Sequence, residues 1–205
     1  MLTTRLPSKL FNMPNIENLT SQINACTICS EHLPLGPKPI FRIDPEAKIV
    51  IISQAPGRYA HQSGIPWDDP SGERLRQWLD TSPTTFYNPK NFAIVPMGFC
   101  YPGKGKSGDL PPRKECAPQW HATVLKMMPN LQLTLLVGQY AQKAYLGSRR
   151  KRNLTETVFA FDEYLPSVLP LPHPSPLNAR WRKKNLWFED RVVSVLQQQV
   201  HQLLV

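Results

Sequence analysis

The run Lys48–Ile52 and the five residues that follow it constrain the fold more than any other stretch of this sequence. Every residue after Lys48 in this run is β-branched, which predicts a short buried strand. The sequence Ser-Gln-Ala-Pro-Gly follows at 53–57, where Pro56 fixes its own φ angle and Gly57 permits a positive one. We therefore expect a sharp, open turn. Ligands bind at the carboxyl ends of strands in open α/β sheets, although an ordinary strand–turn–helix connection would have the same pattern.

Further apolar runs with strand character alternate with segments of helical periodicity. The other predicted strands are 92–97, 131–137 and 167–171. Five helices are predicted. One spans 15–25, one begins at Ser71 or Gly72, one lies near Arg113, one follows Gly138, and one forms the last part of the sequence. This alternation implies a mostly parallel sheet covered on both faces. We predict one α/β domain over residues 1–205, a three-layer α/β/α sandwich around a central four-stranded, mostly parallel sheet, with residues 1–12 as a loose N-terminal arm.

The formal net charge of +9 indicates a polyanionic partner, and nucleic acid is the leading candidate. A basic surface that serves only solubility is the alternative. Hydrophobic residues make up 41% of the chain, which argues against disorder. The sequence contains no apolar run of about 18 residues, the length that a membrane span requires, and its first residues do not resemble a signal peptide. We therefore expect a monomeric cytoplasmic protein without a membrane partner.

Four short motifs, in this order along the chain, resemble those of the uracil-DNA glycosylase superfamily. Residues 54–57, Gln-Ala-Pro-Gly, are similar to its first motif, and 64–67, Gly-Ile-Pro-Trp, to the Gly-x-Pro-Phe of its iron–sulfur branch. Residues 138–141, Gly-Gln-Tyr-Ala, are similar to the Gly-x-x-Ala of its third strand–helix turn, and 173–177, His-Pro-Ser-Pro-Leu, to its second motif. Each motif is weak alone, but the ordered set is fairly specific.

The four cysteines strengthen this resemblance. Two residues separate Cys26 from Cys29 and fifteen separate Cys100 from Cys116, an arrangement similar to that of the iron–sulfur branch. Four thiolates can hold a 4Fe-4S cluster, and cysteines of cytoplasmic proteins are more often metal ligands than disulfides. A structural zinc ion is the alternative, although the wide second spacing does not fit a zinc ribbon. Unligated thiols are the third interpretation.

The resemblance also implies roles for individual residues in binding an extruded base and cleaving its N-glycosidic bond. Trp67 is expected to stack on the base, and His173 to donate a hydrogen bond to it as negative charge develops there. A core tryptophan and a structural histidine are the plain alternatives. The expected substrate contacts are Ala55, Pro56, Gly57, Trp67 and Met97. The candidate catalytic residues are His173, Gln54, Asp68 and Asp69.

A DNA-binding surface is predicted within and after the second motif. The predicted DNA contacts are Ser175, Leu177, Asn178, Arg180, Lys183 and Lys184. By resemblance, Leu177 is the wedge that fills the space left in the base stack, and the three basic residues form a phosphate-binding edge. A solvated helix start is the plain alternative for these charges. Residues 149–152 are a second basic run.

Three positions depart from the family's patterns. Ala55 stands where the best-known branch has Asp, and Gln54 stands where the iron–sulfur branch has Glu. Pro96, four residues before Cys100, stands where an Asn reads uracil, and proline has no side-chain hydrogen-bonding group. Asp68 and Asp69 are therefore candidates for the missing carboxylate.

These features predict a DNA glycosylase-like protein that acts on single- or double-stranded DNA. It is expected to hydrolyse the N-glycosidic bond of a damaged or altered base, uracil or another deaminated base, in base-excision repair. A catalytically inactive DNA-binding member of the superfamily is the alternative. An enzyme that acts on a free nucleotide or nucleoside is the third hypothesis, which the basic charge disfavours.

Overall fold

A parallel sheet of four strands is the centre of the fold. The strands of the protein are β1 (Ile49–Ile52), β2 (Phe92–Ile94), β3 (Lys104–Gly105), β4 (Gly108–Asp109), β5 (Leu133–Val137) and β6 (Val168–Leu171). The sheet has the order β2-β1-β5-β6 with every pair parallel, whereas β3 and β4 form a separate antiparallel hairpin. The computed structural model describes residues 15–204, so the predicted N-terminal arm, 1–12, lies outside the described residues.

Helices cover both faces of this sheet. They are α1 (Ile16–Asn24), α2 (Arg58–Ser63), α3 (Pro70–Leu79), α4 (Pro83–Tyr87), α5 (Cys116–Lys126), α6 (Gln139–Leu146), α7 (Leu154–Phe159), α8 (Ala179–Lys184) and α9 (Ser194–Leu204). Within residues 15–204, none of the helices is both long and apolar enough to cross a membrane.

Successive strand residues point to opposite faces of the sheet, so each face has its own core. Ile49 and Ile51 belong to the core that includes buried residues of α3, α4, α7 and α9. Val50 and Ile52 belong to the core that includes buried residues of α1, α5 and α6. The architecture is therefore the predicted three-layer α/β/α sandwich, and all pairs of strands in its central sheet are parallel.

The first turn of α3 places the carboxylate of Asp69 beside the turn that follows β1. Asp69 is the N-cap of α3, and its Oδ1 accepts a hydrogen bond from Gly72 N at 2.7 Å. Pro70 occupies the first turn, where a missing N–H leaves no helical hydrogen bond unmade. Leu75 and Leu79, one helical turn apart, are fully buried and fix the helix on the sheet.

The elements differ from the sequence predictions mainly at their ends. The second predicted strand is shorter, because β2 ends at Ile94, before Pro96, which cannot donate a hydrogen bond to a neighbouring strand. β6 contains Pro170, which is tolerated because β6 lies at the edge of the sheet. The helix predicted near Arg113 is α5, which begins at Cys116.

The β3–β4 hairpin and a π-helical turn at Phe188–Val193 are absent from the sequence predictions. The hairpin has a short connection at Lys106 and Ser107, followed by Gly108 with a φ angle of +111°. The π-helical turn leads directly into α9, so the final helical segment predicted as one helix is divided into two parts.

Candidate active site

A cavity of about 490 Å³ lies at the carboxyl ends of the parallel strands. Its lining comes from the segments that follow four strands: 53–57 after β1, Pro96 after β2, Gln139 after β5 and residues between 173 and 178 after β6. Residues between 66 and 71, the β3–β4 hairpin and three apolar residues, Ile40, Ala60 and Ile94, complete the lining. This edge of an open parallel sheet is where ligands bind, as the sequence predicts for the turn after β1.

The turn after β1 is held by the chain that follows β2. Met97 N donates to the Ser53 carbonyl at 2.9 Å, and Gly98 N donates to the Gln54 carbonyl at 3.1 Å. The side-chain Nε2 of Gln54 donates to the Leu110 carbonyl at 3.4 Å. Gln54 therefore links the turn to the segment after the hairpin, and it contributes an amide rather than a carboxylate to the cavity.

Trp67 forms a wall of the cavity in a backbone conformation that bulky residues rarely adopt, with a φ angle of +60°. Its carbonyl accepts hydrogen bonds from Tyr87 Oη at 3.2 Å and Arg76 Nη1 at 3.4 Å. A Cβ on Gly72 would lie 1.8 Å from this carbonyl oxygen, so only glycine fits there. The Trp67 ring is 8% exposed and stacks on His173 with 5.5 Å between ring centroids. Trp67 is thus both a core residue and a cavity wall.

His173 contributes a neutral imidazole to the cavity. Ser175 N donates to Nδ1 at 3.2 Å, so the proton of the neutral ring is on Nε2. Burial lowers the pKa of His173 from 6.5 to about 4, and the ring is therefore uncharged near neutral pH. Asn178 Nδ2 donates to the His173 carbonyl at 2.9 Å and fixes the loop. The Nε2–H group is a hydrogen-bond donor without a formal charge.

Two carboxylates come together beside Gly57. A Cβ on Gly57 would lie 3.4 Å from Asp109 Oδ2 and 3.7 Å from Asp69 Oδ2. Tyr101 Oη donates to Asp109 Oδ1 at 3.3 Å. Burial raises the pKa of Asp109, the charge of Asp69 raises it further, and the Tyr101 hydrogen bond opposes both effects. The cavity therefore has carboxylates although the turn after β1 has none.

Most of the predicted site residues meet at this cavity. Those that line it are Gln54, Ala55, Pro56, Gly57, Trp67, Asp69, His173, Ser175, Leu177 and Asn178. Asp68 is exposed and does not line the cavity. Met97 packs against the core on the α5 side of the sheet. The lining residues that the sequence analysis does not assign to the site include Ser53, Ser107, Asp109 and Gln139.

Asp109 reaches the cavity because the hairpin turns back over the turn after β1. Glycines at 105 and 108 on either side of a polar pair are a signal for such a hairpin. The direction in which the hairpin folds depends on contacts with distant residues. One of these is Leu177, whose Cδ1 would lie 3.7 Å from a Cβ on Gly108. Leu177 is 78% exposed at the edge of the cavity, where a wedge residue is expected.

The two basic runs of the sequence differ in how their charges are compensated. Lys151 and Arg152, in the second run, each form an ion pair with a glutamate. Among the residues that the structure describes, Arg180, Lys183 and Lys184 form no ion pair. They are exposed on α8, which directly follows the His173 loop. Uncompensated positive charge therefore lies on the helix that follows a loop of the cavity.

The four cysteines line a second and much smaller cavity of about 20 Å³. Cys26 and Cys29 follow α1, Cys100 follows β2 and Cys116 begins α5. Over residues 15–204, no three His, Cys, Asp or Glu side chains are arranged so that they could hold a metal ion.

The remaining lining of the cysteine cavity is largely apolar and includes Ile23, Phe99 and Trp120. Phe99 N donates to Cys116 Sγ at 3.3 Å. Burial raises the pKa of Cys116 to about 12, and the other cysteines contribute to this shift. Four thiols from three segments in a largely apolar shell are a donor set that suits an iron–sulfur cluster or zinc.

Comparison with known proteins identifies a family. The Uracil DNA glycosylase superfamily matches residues 41–197 of this chain, which include all of the cavity lining except Ile40 and exclude Cys26 and Cys29. Among solved structures, the chain is similar to a candidate uracil DNA glycosylase from Methanosarcina acetivorans, determined by solution NMR. This similarity has a TM-score of 0.45 and 14% sequence identity, and it covers 77% of this chain and 93% of the other.

Proposed function

Because the chain belongs to the Uracil DNA glycosylase superfamily, we propose that it is a DNA glycosylase that hydrolyses the N-glycosidic bond of a damaged or altered base, uracil or another deaminated base. The observation that carries this proposal is the neutral imidazole of His173 beside Trp67 at a cavity of about 490 Å³. Ligand pockets commonly have volumes of about 300–1,000 Å³, so an extruded base fits a cavity of this size.

His173 stabilises the departing base. As the bond between C1′ and the base nitrogen breaks, negative charge builds on the base, and a fixed donor stabilises it more in the transition state than in the bound ground state. The hydrogen bond from Ser175 N to Nδ1 holds the ring with Nε2–H free to donate. Since the ring is already neutral and oriented, donation requires neither a change of protonation nor a rearrangement of the loop.

The edge of the base is read by amides in this chain. Pro96 has no side-chain donor, and its carbonyl accepts a hydrogen bond from His121 Nε2 at 3.0 Å. Gln54 and Gln139 supply amide side chains to the cavity lining. An amide both donates and accepts hydrogen bonds, which suits the mixed donor and acceptor edge of a deaminated base.

DNA binds across α8 and the His173 loop. The uncompensated charges of Arg180, Lys183 and Lys184 suit phosphates of the DNA backbone. Leu177, exposed at the edge of the cavity, is placed to enter the space that an extruded base leaves. The net charge of +9 favours the same partner.

The four cysteines hold a 4Fe-4S cluster with a structural role. The four thiols line one small, largely apolar cavity, and four thiolates can hold such a cluster. The wide spacing between Cys100 and Cys116 does not fit a zinc ribbon, which favours the cluster over zinc. When bound, the cluster ties α1, the segment after β2 and the start of α5 together.

A DNA-binding protein without glycosylase activity is the second candidate. It is favoured by Gln54 and Ala55, which leave the turn after β1 without a carboxylate, and by Pro96, which leaves the cavity without an asparagine there. Such a protein would retain the α8 surface and the aromatic wall, and it would bind DNA without breaking the glycosidic bond.

Labelled oligonucleotides that each carry a different deaminated base, in single- and double-stranded form, distinguish the two functions. A glycosylase leaves an abasic site, so alkali cleaves the strand at the modified position. A binding protein shifts the same oligonucleotides in a gel and leaves them intact. We expect cleavage of at least one oligonucleotide, and intact strands with every modified base would contradict the proposed activity.

A further inference from the structure

Hydrolysis through a cationic sugar requires a group that activates water or stabilises the positive charge. Gln54 and Ala55, in the turn after β1, cannot supply a carboxylate. Of the residues that line the cavity, Asp69 and Asp109 carry carboxylates. They come from different parts of the chain, the N-cap of α3 and the end of the β3–β4 hairpin.

Each carboxylate is held at one oxygen and directs the other toward Gly57. Asp69 Oδ1 accepts from Gly72 N at 2.7 Å, and Asp109 Oδ1 accepts from Tyr101 Oη at 3.3 Å. The second oxygen of each, Oδ2, lies within 4 Å of the point that a Cβ on Gly57 would occupy. Glycine at 57 therefore leaves space between the two oxygens and the turn after β1.

Ser53 adds a hydroxyl group to the same cavity. The residue is 4% exposed and lines the cavity. Its Oγ is not one of the fully buried side-chain atoms without a partner among residues 15–204, so water in the cavity can reach it. A hydroxyl group in this situation suits a water molecule or a substrate oxygen as its partner.

We propose that Asp109 is a catalytic residue whose carboxylate accepts a proton from the water that attacks C1′ of the sugar, while Asp69 beside it stabilises the cationic sugar. This assignment rests on the proposed glycosylase function. The bond from the water oxygen to C1′ forms and the bond from C1′ to the base nitrogen breaks. The bonding electron pair leaves with the base, which His173 Nε2–H stabilises. The water proton moves to Asp109 and is later released to the base or to solvent.

The environments of the two carboxylates differ. Asp69 accepts a hydrogen bond from a backbone N–H at the N-terminus of α3. Burial raises the pKa of Asp109, and the charge of Asp69 adds to the shift. A carboxylate with a raised pKa is the better proton acceptor of such a pair. The other charged or titratable groups around Asp109 are Tyr101 and Lys104.

The test is the single-turnover excision rate of Asp109→Asn on the best oligonucleotide substrate. Asparagine keeps the size of the side chain and can still accept the Tyr101 hydrogen bond, but it cannot accept the water proton. We expect the rate to fall by about 10²–10⁴, with unchanged DNA affinity and circular dichroism. The wild-type rate should fall as the pH drops through the pKa of Asp109, and the variant should lack this dependence. Asp162→Asn, on an exposed turn outside the cavity, is the matched control.

The outcomes separate this assignment from the proposed function. A wild-type protein that excises no base overturns both. Excision by the wild type and equal excision by Asp109→Asn, with the same pH profile, overturns the role of Asp109 alone. If Asp109→Asn is poorly folded, Asp109→Glu provides the second measurement. A folded Asp109→Glu protein with normal DNA affinity and a wild-type excision rate supports the requirement for a carboxylate. A folded Asp109→Glu protein whose excision rate does not fall at low pH contradicts it.

Discussion

Two cavities on either side of the segment Pro96–Tyr101 differ in size and chemistry. Pro96 lines the candidate active site, a cavity of about 490 Å³ with amide, imidazole and carboxylate side chains. Gly98, Phe99 and Cys100 line the cysteine cavity of about 20 Å³, which is otherwise largely apolar. The first is suited to admit a ligand and the second to a permanently bound group. Changes in the first should therefore affect excision, and changes in the second should affect stability.

The largest effect is expected from Cys100→Ala. Loss of a cluster ligand removes the tie between α1, the segment after β2 and α5, so the variant should be insoluble or unstable. Wild-type protein purified without air should be brown and contain about four irons per chain. Metal content, visible absorbance and thermal unfolding measure these outcomes. Colourless wild-type protein with one zinc per chain would show that the cysteines hold zinc instead of the cluster. A stable Cys100→Ala protein would show that the bound group has no structural role.

In contrast to Cys100→Ala, His173→Ala should reduce excision and leave the stability of the protein unchanged. It removes the neutral donor to the departing base, which typically costs about 10²–10³ in rate, or roughly 3–4 kcal/mol. Iron content, fold and DNA affinity should remain close to those of the wild type, because the loop is also held by its backbone hydrogen bonds. Because burial lowers the pKa of His173 to about 4, the ring is already neutral near pH 6.5, so the wild-type rate should show no His173 titration near 6.5.

Single-turnover excision and metal analysis of the same His173→Ala preparation test this contrast between the two cavities. Equal excision by the variant and the wild type would make the His173 loop purely architectural. Loss of iron from the variant would show that the two cavities are not independent.

A smaller effect is expected from the surface outside the cavity. Replacing Arg180, Lys183 and Lys184 together by Ala should reduce the slope of log affinity against log salt by up to about 3 units, since each phosphate contact releases counterions. The matched control replaces residues 150–152, of which Lys151 and Arg152 already form ion pairs. A larger change of slope in the control would show that the DNA backbone binds mainly at the second basic run, residues 149–152. Iron content should be unaffected in either protein.

The parts of this site that follow from local sequence were predictable. A β-branched strand with a Pro-Gly turn, and a histidine between prolines after the last strand, specify their loops through nearby residues, and both loops line the cavity. The choice between Asp68 and Asp69 also had a local signal, because an aspartate directly before Pro70 is a favoured N-cap. That signal indicates that Asp69 is tied to the helix and that its neighbour is free to face solvent.

Asp109 could not be predicted in the same way. Its position depends on the hairpin folding back over Gly57, on a hydrogen bond from Tyr101 and on the contact between Gly108 and Leu177. Leu177 is far away in sequence, and no periodicity or motif specifies such a contact. The convergence of the four cysteines was predictable only in part. Their spacing suggests a shared site, but the two pairs come together through the core to which both α1 and α5 contribute.

Tyr101→Phe should give the smallest effect and the sharpest comparison, because Tyr101 follows Cys100 directly and yet contacts Asp109. The change removes the hydrogen bond of 3.3 Å to Asp109 Oδ1, which lowers the pKa of that carboxyl. The pKa of Asp109 should therefore rise. Excision needs the ionised carboxylate, so the acid limb of the pH–rate profile should move to higher pH, while the rate above that limb and the iron content should not change. An acid limb at the wild-type pH would show that Asp109 does not accept the proton in the rate-limiting step. A loss of iron would mean that the segment Pro96–Tyr101 couples the active site to the cysteine cavity.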